Sequence, residues 1–111
     1  MSAGLPQAFS FSCPLDLAAI RHKLQALGTF RWTGHESEYH GAYIVGHPLV
    51  PDWPVKLRIY GDDAPDYLLE FDYFYWKLRE GESPTQAIAF AKEQLLPALG
   101  ASSVKQTVGV R

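Results

Sequence analysis

The tightest constraint in this sequence is a matched pair of alternating segments on either side of Gly61. Val55, Leu57 and Ile59 alternate with Lys56, Arg58 and Tyr60; Tyr67, Leu69, Phe71 and Tyr73 alternate with Leu68, Glu70, Asp72 and Phe74. A period of two belongs to a strand with one dry and one wet face. Between the segments lies Gly61-Asp62-Asp63-Ala64-Pro65, which has turn chemistry. A hairpin is therefore expected. If Tyr60 pairs with Asp66, Leu57 faces Leu69, Val55 faces Phe71, and Lys56 faces Glu70 on the other side. Arg58 and Lys56 then become diagonal neighbours of Glu70 and Asp72. A slip by one residue inverts both faces.

The remaining elements follow from their own periodicities. Phe9, Phe11 and Cys13 alternate with Ser10 and Ser12, a half-buried strand after an arm at 1–7. Leu17, Ile20, Leu24 and Leu27 recur at three- and four-residue steps, predicting a helix over about 15–27. Pro14 suits its first turn and Gly28 its C-terminal cap. Phe30–Thr33 and Tyr43–Val45 are strand formers joined by a polar stretch, with the turn near Ser37 and Glu38 and the register open. Pro48, Pro51 and Pro54 exclude a regular element from 47–54, and Leu49, Val50 and Trp53 make that loop worth ordering.

A second helix is signalled by Ser83-Pro84-Thr85-Gln86, a cap, a first-turn proline and a capping-box glutamine. Its apolar stripe is Ile88, Ala91, Leu95 and Leu99; Phe90 falls opposite, and Pro97 should end or kink the helix near Leu96. Val104, Val108 and Val110 admit a last edge strand in a tail at 101–111. The order β-α-β-β-β-β-α places the chain in the α+β class. The expected architecture is a two-layer α/β sandwich: an antiparallel sheet of about five strands, both helices on one face.

Composition narrows the functional classes. The 111 residues suit one domain with an unstapled core. Ten basic against twelve acidic side chains give a net charge of −2, without the basic footprint that nucleic acid requires. The lone Cys13 excludes an internal disulfide and fits a reducing compartment. Met1–Gln7 shows no secretory signal and no stretch reaches membrane-span length, so the cytoplasm is the expected location.

Candidate chemistry is sparse. His35, His40 and His47, near Glu36 and Glu38, are the one cluster of metal-compatible side chains, but tight ligand spacing is missing. A solvated polar turn is the ordinary explanation, and no metal or other cofactor is assigned. Cys13 beside a helix start would need a base; His22 points away from the sheet, so a buried, inert thiol is preferred. Asp62, Asp63 and Asp66 lack the glycine and terminal glutamate of a calcium loop. Glu70 and Asp72 share a strand face, yet Lys56 and Arg58 are their natural partners, which favours charge pairing over acid–base chemistry. The chain has no nucleophile-elbow, phosphate-loop or dinucleotide fingerprint, and no catalytic residue is assigned.

The aromatic residues remain to be explained. Fifteen Phe, Tyr and Trp side chains gather in 30–43 and 67–76, and strict alternation prevents all of them from facing the helices. The expected function is a non-enzymatic protein-interaction module: a small adaptor, inhibitor or immunity-type protein. Its partner would be another protein or a second copy of the chain, not nucleic acid or membrane. The expected partner-binding surface is the open sheet face around Trp32, Tyr43, Arg58, Tyr60, Glu70 and Asp72. The alternative is small-ligand binding, metal binding or enzymatic chemistry near 34–53, with Tyr39, His35, His40, His47 and Trp53 as lining residues.

Overall fold

The structure is a computed structural model that describes residues 8–38, 41–49, 55–61, 66–73 and 85–107. Six strands form one antiparallel sheet: β1 (Ala8–Ser12), β2 (Phe30–Ser37), β3 (Gly41–Pro48), β4 (Val55–Tyr60), β5 (Asp66–Tyr73) and β6 (Ser102–Thr107), in the order β2-β3-β4-β5-β1-β6. Helix α1 (Leu17–Leu27) joins β1 to β2. Helix α2 runs as an α-helix over Thr85–Phe90, a π-helix over Ala91–Leu95 and an α-helical turn over Leu96–Ala98. The expected α+β class is observed, with the C-terminal tail supplying a sixth strand beside β1. The arm at 1–7, the loop residues 50–54, Asp62 and Asp63, the Phe74–Tyr75–Trp76 run, the Ser83–Pro84 cap, Val108 and Val110 lie outside the described residues.

One contiguous core joins the sheet to both helices. Phe9, Phe11, Phe30, Trp32, Leu57, Ile59, Leu69 and Phe71 meet Ile20 and Leu24 of α1 and Ala87, Phe90, Ala91, Leu95, Leu96 and Leu99 of α2. Burial alternates strictly along β4 and β5, with Val55, Leu57 and Ile59 and then Tyr67, Leu69, Phe71 and Tyr73 inside. The facing pairs, however, are Leu57–Phe71, Val55–Tyr73 and Arg58–Glu70, two residues away from the expected register. A two-residue slide leaves every side chain on its own face, so alternation cannot detect it.

Helix α1 starts at Leu17, later than expected, because the Asp16 carboxylate accepts the Ala19 N–H at 2.8 Å and so caps the first turn. Gly28, at φ 75°, ends it in the left-handed conformation anticipated for that glycine. Arg21 and Gln25, one turn apart, close the outer edge of β2: Arg21 Nε donates to the Trp32 carbonyl at 3.2 Å, and the Trp32 N–H donates to Gln25 Oε1 at 3.0 Å. An edge strand's unpaired backbone groups invite association, and these two side chains satisfy one such pair.

Helix α2 departs from a straight stripe. Phe90 is buried and packs 5.5 Å from Phe30, where a position opposite the stripe was expected. The π-turn explains the change. It adds a residue to one turn, so Phe90 and Ala91 are followed on the same face by Leu95 and Leu96 rather than by Gln94. The wide turn also precedes Pro97, whose ring would crowd the carbonyl four residues back in a regular helix; the helix therefore continues through it to Ala98. A Schellman cap closes the end, with Gly100 N–H bonded to Pro97 O at 3.0 Å and Ala101 N–H to Leu96 O at 3.1 Å.

The β2–β3 hairpin pairs Ser37 with Gly41, Trp32 with Gly46 and Phe30 with Pro48. Strand β3 therefore runs two residues, His47 and Pro48, into the segment where no regular element was expected. Trp32 directs its N–H and C=O away from β3, and Phe30–Pro48 repeats that wide pairing two residues on, so β2 loses no bond to the proline. Gly46 is required by packing: an added Cβ would lie 2.8–2.9 Å from the Trp32 indole. We expect Gly46→Ala to destabilise the domain by roughly 1–3 kcal/mol through overpacking. Thermal unfolding followed by circular dichroism would show a drop of at least about 4 °C. In a Trp32→Leu background the Gly46→Ala penalty should shrink, a double-mutant cycle that identifies the indole as the clashing group.

Candidate functional site

The sheet face turned away from the helices carries registered rows of side chains. One row crosses all six strands as His35, Tyr43, Tyr60, Leu68, Ser10 and Lys105. The next is Thr33, Val45, Arg58, Glu70 and Ala8. A third sets Arg31 beside His47 and Lys56 beside Asp72. Burial on this face is uneven: Ala8 and Val45 are buried, whereas Arg31 and His35 are exposed.

The first row is a ladder of rings. His35 and Tyr43 stack with centroids 5.4 Å apart and planes inclined by 20°; Tyr43 and Tyr60 repeat the 5.4 Å spacing at 37°. Neighbouring strands lie about 4.8 Å apart, so rings at this spacing stand side by side with their faces turned to one another. Polar bonds hold both ends of the ladder. Thr33 Oγ1 lies 2.9 Å from His35 Nε2, and the Tyr60 hydroxyl donates to Glu70 Oε1 at 3.0 Å.

Charge pairing continues from there. Arg58 Nη2 meets Asp72 Oδ2 at 3.0 Å, and Arg58 Nη1 lies 4.0 Å from Glu70 Oε1. Burial, then the Glu70 charge and the bond to it, push the Tyr60 phenol up to about 12. His47 moves the other way. Partial burial disfavours its charged form, and the positive charges of Arg31, Lys56, His35 and Arg58 disfavour it further.

Five of the six expected surface residues, Tyr43, Arg58, Tyr60, Glu70 and Asp72, share this outward face. Trp32 does not. Only 2% exposed, it points into the core beside Phe30 and over Gly46. A two-residue turn at Ser37–Glu38 would have set Trp32 opposite Tyr43; the actual Ser37–Gly41 closure sets Tyr43 opposite His35 instead. The strand glycine Gly46 was the sequence signal for an inward Trp32, since such a glycine marks a close approach. Arg31 and Thr33, which sequence reasoning left out of the surface, take the outward positions on β2.

His35 and His47, expected to line a cleft with Tyr39, His40 and Trp53, stand on this same flat face, two rows apart; the other three residues lie outside the described residues. Among the described residues no group of three or more His, Cys, Asp or Glu is placed to hold a metal ion. Cys13 is buried, and its thiol donates to the Leu99 carbonyl at 3.2 Å. No helix among the described residues is long and apolar enough to cross a membrane. In comparison with known proteins, no family model, no curated protein and no solved structure matches the chain.

Two titrations check these environments. Glu70→Gln removes the charge that opposes Tyr60 ionisation, so the Tyr60 phenol should titrate below about 12 in an ultraviolet difference titration against Tyr60→Phe. For His47 the folded value lies below the ordinary 6.5, so the unfolded chain binds more protons as the pH falls through that window. Stability should therefore decline as the pH falls below about 6.5. Denaturant unfolding at a series of pH values would show this component, and His47→Gln should abolish it.

Proposed function

We propose that this chain is a non-enzymatic protein-interaction module whose working surface is the outward sheet face. The domain is in this reading a two-layer sandwich, with the helices covering one face and the other left for a partner. The supporting observation is the ring ladder His35–Tyr43–Tyr60, pinned by Glu70 and flanked by the Arg58–Asp72 ion pair. Tyrosine and arginine dominate binding hot spots because each joins a large contact area to a polar group. Here their conformations are already restrained by neighbours, which lowers the entropy lost when a partner docks. The mixed charges around the ladder would set the partner's orientation.

The same arrangement speaks against the ladder as a stacking platform for nucleobases. Its ring faces are turned to each other, leaving mainly edges outward, whereas base stacking uses the face of a ring. The test uses Arg58→Ala and Tyr60→Ala, neither of which removes a side chain from the helix-packed core. Both variants should keep the wild-type circular dichroism spectrum and lose, by at least about tenfold, affinity for the species that the wild-type chain retains. Sedimentation and affinity capture run in parallel on the three proteins would measure this. Equal capture by all three would remove the outward face from consideration.

A further inference from the structure

Arg31 and Lys56, with His47 between them, form a short line of basic side chains across β2, β3 and β4. Arg31 pairs with His47, and Lys56 lies one step beyond the Gly46–Leu57 pair, which brings it beside His47. Among the described residues none of the three has an ion pair. The nearest carboxylate by register is Asp72, opposite Lys56, and it is engaged by Arg58 at 3.0 Å. Glu70 is likewise held, by Tyr60 and Arg58. Among the described residues of this face, Glu70 and Asp72 are engaged by Arg58 while Arg31 and Lys56 are in no ion pair, in a chain whose net charge is −2.

We propose that the Arg31–His47–Lys56 line is an anion-recognition site that receives the carboxylates of an acidic segment of the partner protein. This rests on the reading of the outward face as the partner surface and specifies the chemistry that docks there. The line spans two inter-strand steps, about 10 Å, the length that about three residues of an extended acidic segment cover. A second copy docked about a twofold axis through this line is a poor occupant, because it would bring the same cations against it. Nucleic acid would find phosphate contacts here, but the central ring of the neighbouring ladder, Tyr43, has His35 on one side and Tyr60 on the other rather than a face open for stacking. Arg31 and Lys56 supply fixed positive charge, and His47 reports occupancy, since a nearby carboxylate favours its protonated form while Arg31, Lys56, His35 and Arg58 oppose it.

The probe is a hexaglutamate peptide with blocked ends, titrated at low ionic strength into the isotopically labelled full chain and followed by NMR. Saturable shift changes should centre on Arg31, His47 and Lys56, and the His47 titration midpoint should rise when peptide is present. The double variant Arg31→Glu/Lys56→Glu should keep a folded spectrum and weaken binding by at least about tenfold. Inorganic phosphate and a single-stranded oligothymidylate, matched to the peptide in charge concentration, run as separate arms. A silent Arg31–His47–Lys56 line, an equal response to phosphate, tighter binding of the oligonucleotide, or a self-association that covers the line would each overturn the proposal. If Tyr60→Ala abolishes partner capture while the peptide leaves these residues unmoved, the acidic assignment fails and the outward face keeps its role.

Discussion

Alternation along β4 and β5 is the constraint on which the rest of this structure depends. These two strands occupy the middle of the sheet, and every second side chain on them is buried beneath helices. Fully burying one such aliphatic or aromatic side chain contributes on the order of 1.5–3 kcal/mol, far more than a surface ion pair. The dry face therefore sets the orientation of both strands, and the outward residues follow. Lys56, Arg58 and Tyr60 face the same side as Leu68, Glu70 and Asp72 because Leu57, Ile59, Leu69 and Phe71 cannot.

The two edges of the sheet are handled differently, and this shapes the accessible surface. At β2, Arg21 and Gln25 of α1 turn inward to bond the Trp32 backbone, so the helix is both a core element and an edge cover. At the opposite end β6 pairs with β1 through an irregular register, and Ser103 takes a left-handed conformation at φ 53°. Such an irregularity twists an edge away from further pairing. With each edge modified in this way, the proposed partner surface is the outward face rather than a strand edge.

The departures from expectation have physical causes that share one form. A two-residue slide of the β4–β5 hairpin preserves side-chain parity, so the alternating pattern was silent about it, and the bonds around Arg58, Tyr60 and Glu70 belong to the observed register. A one-residue difference in the β2–β3 turn does change parity, and it moved Trp32 from the expected surface to the core. One extra residue in a helical turn rotated Phe90 inward and carried the helix past Pro97. In each case a single local count controls which side chains share a face, and composition does not report it.

By itself the sequence determined the element types, the α+β class, the Gly28 cap of α1 and the side of the sheet to which Arg58, Tyr60, Glu70 and Asp72 belong. These follow from interactions over a few residues: hydrophobic period, capping and the conformational freedom of glycine. Only the tertiary structure decided that Arg31, His35 and His47 join those residues, and that Trp32 and Phe90 do not. That outcome rests on closing the β2–β3 turn over Gly46 and widening one turn of α2. Both are fitted by contacts between side chains distant in sequence, a jigsaw that periodicity cannot specify.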